Sequence, residues 1–322
     1  MQLANLILAQ LVNGMTLGGM YALIALGYTL VYGILLMINF AHSELFMSGA
    51  FVGLGVMTLL TSADMAKRFP ILGPSQAFFT GSNVGVFFML MIVFLVAMIA
   101  VGLLGMTIER FAYRPLRHAP RLAPLISAVG VSLFLQNAVL LWVSAQQVPF
   151  PNPIGNGTAF TIGTVDVSVL KVIIVVTAIV LMLALDTFVS RSRMGKSMRA
   201  TSQDREAAGL MGIDINRSIM LAFFIGPALG AVAGIFSGMY YGSIVFSMGF
   251  LPGMKAFTAA VLGGIGNLRG AMLGGFVLGI AESLASGFIS TGYKDVIAFA
   301  ILILVLIFRP GGLLGESVVE KV

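Results

Sequence analysis

Long apolar stretches separated by short polar ones dominate the chain. Residues 1–43, 69–108, 122–165 and 218–254 carry no Asp, Glu, Lys or Arg. A bilayer-spanning helix needs about 20 mostly apolar residues. In hydrocarbon every backbone N–H and C=O must also find a partner within the structure, which leaves helices and closed barrels. These runs are continuous rather than alternating over about ten residues, so they select helices. The pattern predicts spans at 6–31, 38–60, 86–108, 122–143, 169–189, 218–240, 245–263, 271–290 and 295–309. The expected fold is an all-α polytopic membrane protein with about nine transmembrane helices, within a range of eight to ten. Gly14, Gly18, Gly19, Gly27 and Gly33 give the first span room to bend or break.

Composition agrees with that pattern. Of 322 residues, 59% are hydrophobic and only 9% charged, with a mean hydropathy of +1.04. An ordinary soluble domain carries about 25% charged residues, so a soluble enzyme is excluded. The start, Met1-Gln2-Leu3-Ala4, has no basic stretch and reads as a retained first span rather than a cleaved signal. Residues 1–322 read as one transmembrane domain. The absence of cysteine excludes disulfide and thiol chemistry.

Charge placement predicts orientation. Residues 109–121 hold Arg110, Arg114, Arg117 and Arg121, and residues 190–217 hold Arg191, Arg193, Lys196, Arg199, Arg205 and Arg217. Ten of the eighteen basic residues thus lie in two loops separated by two spans. Both loops are expected on the cytoplasmic side, so the net charge of +6 marks topology and not nucleic-acid binding. The loop between them, 144–168, carries Pro149, Pro151, Pro153 and Asp166 and should be external. Counting on from there places the C-terminus in the cytoplasm. It places 61–85 outside, where Lys67 and Arg68 are a counter-signal, and the N-terminus outside.

Gly226, Gly230, Gly234, Gly238 and Gly242 recur every fourth residue. On a helix they form a smooth ridge that lets a neighbouring helix approach closely. Gly270–Gly274 and Gly275–Gly279 repeat the spacing. Packing within the chain and a subunit interface are both open uses of such a ridge.

Enzyme chemistry finds little support. Gly195-Lys196-Ser197 ends like a phosphate-binding loop, but the position that needs the first glycine is Ser190. The two histidines, His42 and His118, are far apart and no cysteine accompanies them, so no metal site is expected. No H-E-x-x-H or G-x-S-x-G occurs. No catalytic residue and no cofactor is assigned.

The segment Arg191–Arg217 is a long polar insertion between apolar spans. Residues 204–211 suit a short amphipathic helix, with Thr201 or Ser202 as N-cap and Gly212 ending it. Small residues on one face suit a partner's groove, with the flanking charges of Arg193, Arg205 and Glu206 fixing register. A plain solvated loop helix is the alternative.

Polar groups inside the spans are the remaining candidates. They are Asn39, His42 and Glu44 near the start of the second span, Gln136 and Asn137 deep in the fourth, and Glu282 in the eighth. Intramembrane ionisable groups face the bundle interior or a water-filled path. Each is therefore either a helix–helix hydrogen bond or a path-lining group. Lys171 and Asp186, near span ends, read as snorkelling to the interface.

Several stretches together resemble the membrane permease of branched-chain amino-acid ABC importers. They are Leu17 to Phe40, then Ala41-His42-Ser43-Glu44, and Ile108-Glu109-Arg110-Phe111-Ala112-Tyr113-Arg114-Pro115. Ser192-Arg193-Met194-Gly195, Gly253 to Gly266, Tyr293-Lys294-Asp295, Arg309-Pro310 and Glu320-Lys321-Val322 follow. The chain departs from the family at Ser43, where glycine is usual, and at Leu268-Arg269, where an apolar residue and proline are usual.

The resemblance implies a bacterial inner-membrane subunit that passes leucine, isoleucine and valine. It implies a second permease subunit, identical or different, two cytoplasmic ATPase subunits and a periplasmic binding protein. It also makes Glu206-Ala207-Ala208 with Gly212, flanked by Arg193 and Arg205, the coupling helix that meets the ATPase. The alternatives are a relative handling urea or short amides, and an ion-coupled transporter in which Glu44 or Glu282 titrates.

Overall fold

A computed structural model describes residues 2–37, 39–62, 78, 79, 81–117, 119, 120, 122–155 and 157–315. Lys67, Arg68, His118, Arg121 and Glu320-Lys321-Val322 lie outside the described residues. The long helices are α1 (Gln2–Leu35), α2 (His42–Thr61), α3 (Asn83–Ile108), α4 (Leu122–Trp142) and α5 (Val169–Arg191). Two short helices, α6 (Arg193–Gln203) and α7 (Arg205–Leu210), precede α8 (Ile215–Tyr241), α9 (Phe250–Gly263), α10 (Leu268–Phe288) and α11 (Lys294–Phe308). Among the described residues eight helices are long and apolar enough to cross a membrane. The chain is an all-α polytopic membrane protein, as its hydropathy predicts.

Helices α1 and α8 form the centre. Their most apolar windows are 83% and 78% buried, against 6% for α11. Small residues let the backbones meet there. A Cβ on Gly18 would lie 2.7 Å from Phe276 Cα, and one on Gly14 2.6 Å from Ile280 Cα, so α1 sits directly on α10. A Cβ on Gly226 of α8 would lie 3.2 Å from the carbonyl oxygen of Gly27 of α1, a somewhat looser contact. The five glycines of α1 do not break it. It runs as one helix of 34 residues, about 51 Å at 1.5 Å per residue. Close helix contacts offset the conformational cost of its glycines.

The break comes instead at Leu36, the one non-glycine residue with positive φ (56°) among those described. Such a conformation is unusual for a side chain with Cγ branching and turns the chain sharply. Residues 39–41 then lead back, so that α2 starts beside Gly27 and Gly230, well inside the bundle. The second half of the molecule repeats the device in the opposite direction. Helix α8 ends at Gly242 (φ 71°), and α9 starts at Phe250 with Gly249 and Gly253 against Ser43 and Glu44. The N-termini of α2 and α9 therefore meet inside the bundle. Residues 245–263, expected as a full span, form a helix of only 14 residues over their second part.

Two further placements orient the ends. Val148–Pro149 pairs with Ser243–Ile244 just beyond the C-terminal end of α8, and Thr158–Ile162 pairs with Val165–Ser168 just before α5. On the opposite face Asp186 pairs with Arg269 at 2.8 Å, and the backbone amides of Leu313 and Leu314 bond to Leu262 and Gly263. Residues 309–315 thus share a face with the 190–217 segment. Lys171, near the start of α5, donates to Asn13 Oδ1 at 2.7 Å. Asp186 is likewise held within the chain, by Arg269.

Candidate functional site

The 190–217 segment is built from three successive capped helices. Ser192 Oγ accepts from Gly195 N at 2.9 Å to start α6, and Asp204 Oδ1 accepts from Ala207 N at 3.0 Å to start α7. Asp214 Oδ1 accepts from Arg217 N at 3.1 Å to start α8. Each cap satisfies amides that have no partner inside the helix. Thr201 and Ser202, expected as caps of the short helix, lie within α6 and bond back to Ser197 O and Arg199 O. Asp204 takes the role because its carboxylate sits at the break between α6 and α7. Gly212 ends the unit in the left-handed conformation expected of it (φ 79°).

Helix α7 is docked on one side and bare on the other. Ala208 is buried, while Glu206 and Ala207 are exposed, and Leu210 and Met211 are 90% and 83% exposed. Arg193 is exposed at the start of α6. Arg205 points inward, and its Nη2 donates to the carbonyls of Ile34 and Leu35, both at 2.9 Å. Those are orphan carbonyls at the C-terminus of α1, where a cation is favourable. A cavity of about 870 Å³ lies under this contact, bordered by Leu35, Met37, Arg117, Asp204 and Glu206.

Beside it, fully buried Glu109 at the end of α3 is matched by two arginines. Arg114 lies 3.1 Å away and Arg117 closes onto the other carboxylate oxygen. Arg117 also donates to Asn216 Oδ1 at 2.6 Å, tying α3 to the start of α8. Partial burial lowers the pKa of the Arg117 guanidinium, and the Glu109 carboxylate opposes that shift.

The second site lies where α2 and α9 meet. A cavity of about 500 Å³ opens between Tyr28, Phe40 and Ser43 on one side, Ser132, Leu133 and Gln136 of α4, and Phe250, Leu251 and Met254 of α9. Behind it Glu44 is fully buried. Its Oε1 accepts from Gln136 Nε2 at 2.7 Å and from Ser132 Oγ at 3.3 Å.

The other predicted path residues are placed differently. His42 is buried behind Tyr28, ring centroids 4.7 Å apart, and does not border the cavity. Asn39 is also behind it, accepting from Tyr113 OH at 2.5 Å. Asn137 is exposed on the outer face of α4 and bonds back to Leu133 O. Of the predicted path residues Gln136 borders the cavity, and it holds Glu44 just behind it.

Glu282 belongs to a separate buried cluster. It accepts from Tyr21 OH at 2.9 Å and from Lys255 Nζ at 2.6 Å, and Lys255 also meets Asp295 at 2.5 Å. This joins α1, α9, α10 and α11. Sequence reasoning missed Lys255, although a lone lysine in an uncharged apolar helix is a signal for a buried counter-ion. Removing one member of such a group leaves an uncompensated charge, at a cost of about 3–5 kcal/mol. Lys255→Met should therefore lower the thermal unfolding temperature in detergent sharply, and Lys255→Met with Glu282→Gln should recover part of the loss. Equal stability of the single variant and the parent would show that the ion pairs contribute nothing.

The glycine ridge of α8 is spread over several neighbours. Gly226 faces α1, Gly230 and Gly234 face α2, and Gly238 faces the Phe150 ring, at 2.8 Å from Cγ to a built Cβ. Gly242 is not part of the ridge, because it is the left-handed residue that ends the helix. On α10, Gly270 and Gly274 face α9, while Gly275 and Gly279 face α1.

A family model described as the permease component of the branched-chain amino acid transport system matches residues 10–306. Over 318 residues, 98% of both chains, the protein is 46% identical to the high-affinity branched-chain amino acid transport system permease protein BraD of Pseudomonas aeruginosa. It is 44% identical over 321 residues to the corresponding permease protein LivH of Escherichia coli, covering 98% of this chain and 97% of that one. Identity to the probable branched-chain amino acid transport permease protein LivH of Methanocaldococcus jannaschii is 26% over 310 residues. No solved structure matches. On the match over residues 10–306 and the full-length relatives, this chain belongs to the family of branched-chain amino acid transport permease components.

Proposed function

We propose that this protein is the membrane-spanning subunit of an ATP-driven importer of leucine, isoleucine and valine. A binding protein outside the membrane hands over the amino acid, and two ATPase subunits inside supply the free energy. A second permease subunit completes the assembly. Residues 1–322 act as one permease domain in the bacterial inner membrane, with 190–217 and the C-terminus cytoplasmic and 144–168 external. The positive-inside distribution of arginines supports that orientation.

The observation that carries the ATP-driven reading is the geometry of α7. It presents Glu206, Ala207, Leu210 and Met211 outward while Arg205 holds the end of α1. Exposed apolar side chains on a polar loop helix suit a partner's groove. A nucleotide bound to that partner acts only through its differential affinity for two permease states. Through Arg205 the push reaches α1, then the Leu36 break, then the start of α2 at the cavity.

Substrate range tests the reading. The permease is expressed with a second permease, ATPase subunits and a binding protein of the same type of importer, in cells lacking other leucine uptake. Radiolabelled leucine should accumulate and be competed by isoleucine and valine. Competition by urea or acetamide, but not by valine, would assign the system to a different substrate.

A further inference from the structure

We infer that the cavity between α2, α4 and α9 binds the transported amino acid directly, with the substrate's ammonium group on Glu44. This rests on the importer reading above and adds a substrate site within the permease itself.

The first observation is the carboxylate. Glu44 is fully buried, its Oε1 has two donors, and its Oε2 has no hydrogen-bond partner. None of the ion pairs among the described residues includes Glu44, and Lys255 of α9 is committed to Glu282 and Asp295. Buried polar atoms are nearly always paired, so a buried carboxylate oxygen without a donor points to a ligand that supplies one.

The second observation is the backbone around it. A Cβ on Gly249, the N-cap of α9, would lie 2.6 Å from Oε2. The N-terminal turn of α9 therefore covers that oxygen, with no side chain between them. Gly253 rests on Ser43 in the same way. Withdrawal of this turn opens Oε2 to the cavity.

The third observation is the wall. Leu133, Leu251 and Met254 line the cavity beside Ser132 and Gln136. Tyr28, Ser43 and Ser247 add hydroxyls to the wall but no second charge, so the lining lacks the several carboxylates of a typical divalent-cation site. It does suit an ammonium group whose aliphatic side chain lies on the leucines. A single charged anchor also keeps binding weak enough for release.

The test uses the complete importer in liposomes. Loss of one charge-assisted hydrogen bond predicts that Glu44→Gln lowers leucine uptake at low substrate by about tenfold or more, mainly through KM. Glu44→Asp should restore part of it. A purely structural carboxylate would lower Vmax and co-purification with the partners for both variants, and that result overturns the inference. So that misassembly of Glu44→Gln does not decide the outcome, the parent importer is also labelled during turnover with a diazirine analogue of leucine. Adducts on Leu133, Leu251 or Met254 are expected. Leucine uptake with adducts only elsewhere overturns this inference alone, whereas an importer that takes up no leucine overturns the substrate reading and this site with it.

Discussion

Glu206→Arg should leave the protein folded in the membrane while ATP hydrolysis by its partners no longer drives uptake. Glu206 sits in the first turn of α7, exposed, and makes no ion pair within the chain among the described residues. Reversing its charge therefore costs the fold little beyond a weakened interaction with the helix dipole, about 0.3–1 kcal/mol. At a docking surface the same change sets like charges against each other, which costs several kcal/mol. Uptake should fall by more than about tenfold per ATP hydrolysed. Proteoliposomes measuring both quantities decide it, and normal coupled uptake would show that α7 is a plain solvated helix.

Gly234→Leu should be as damaging, but at the level of folding. A Cβ at Gly234 meets the carbonyl of Phe46 and lies 3.0 Å from Ala50 N, so the two backbones would have to separate. Overpacking typically costs about 1–3 kcal/mol and more where backbone must move. That is a large share of a net stability of about 5–15 kcal/mol, and forcing the α8 and α2 backbones apart adds to it. Gly130→Leu is the matched control, because nothing lies within 4 Å of a Cβ there. Size-exclusion profiles of fluorescently tagged protein should show a monodisperse peak for Gly130→Leu and its loss for Gly234→Leu. Equal peaks would mean that the close contact of α8 with α2 does not support the fold.

How far the sequence reveals this molecule depends on the kind of contact. Helices α3, α4 and α5 fall where their apolar runs predict, because hydropathy measures the lipid-facing surface that these helices still expose. Helix α1 does not break at its glycines, since their effect depends on α10 and α8 being there to pack on them. Residues 245–249 are as apolar as a helix interior, yet the chain re-enters the bundle there before α9 begins. Hydropathy carries no information about that path.

The functional groups divide the same way. Glu44 and Gln136 are legible as costly intramembrane polar residues, and the structure sets them together at one cavity. Glu282 carries the same signal and proves to be paired with Lys255 and Tyr21, a partnership across distant helices that spacing does not encode. Arg205 is visible as a coupling-segment charge, but its grip on the last carbonyls of α1 depends on how α6 and α7 fold back.

The central claim is that nucleotide, and not an ion gradient, drives this permease. Its most direct measurement is leucine uptake by proteoliposomes containing the chain alone or the full assembly. Uptake is expected only with the full assembly and ATP on the ATPase side, and none by the chain alone under an imposed proton or sodium gradient. Gradient-driven uptake by the chain without ATPase subunits would contradict it.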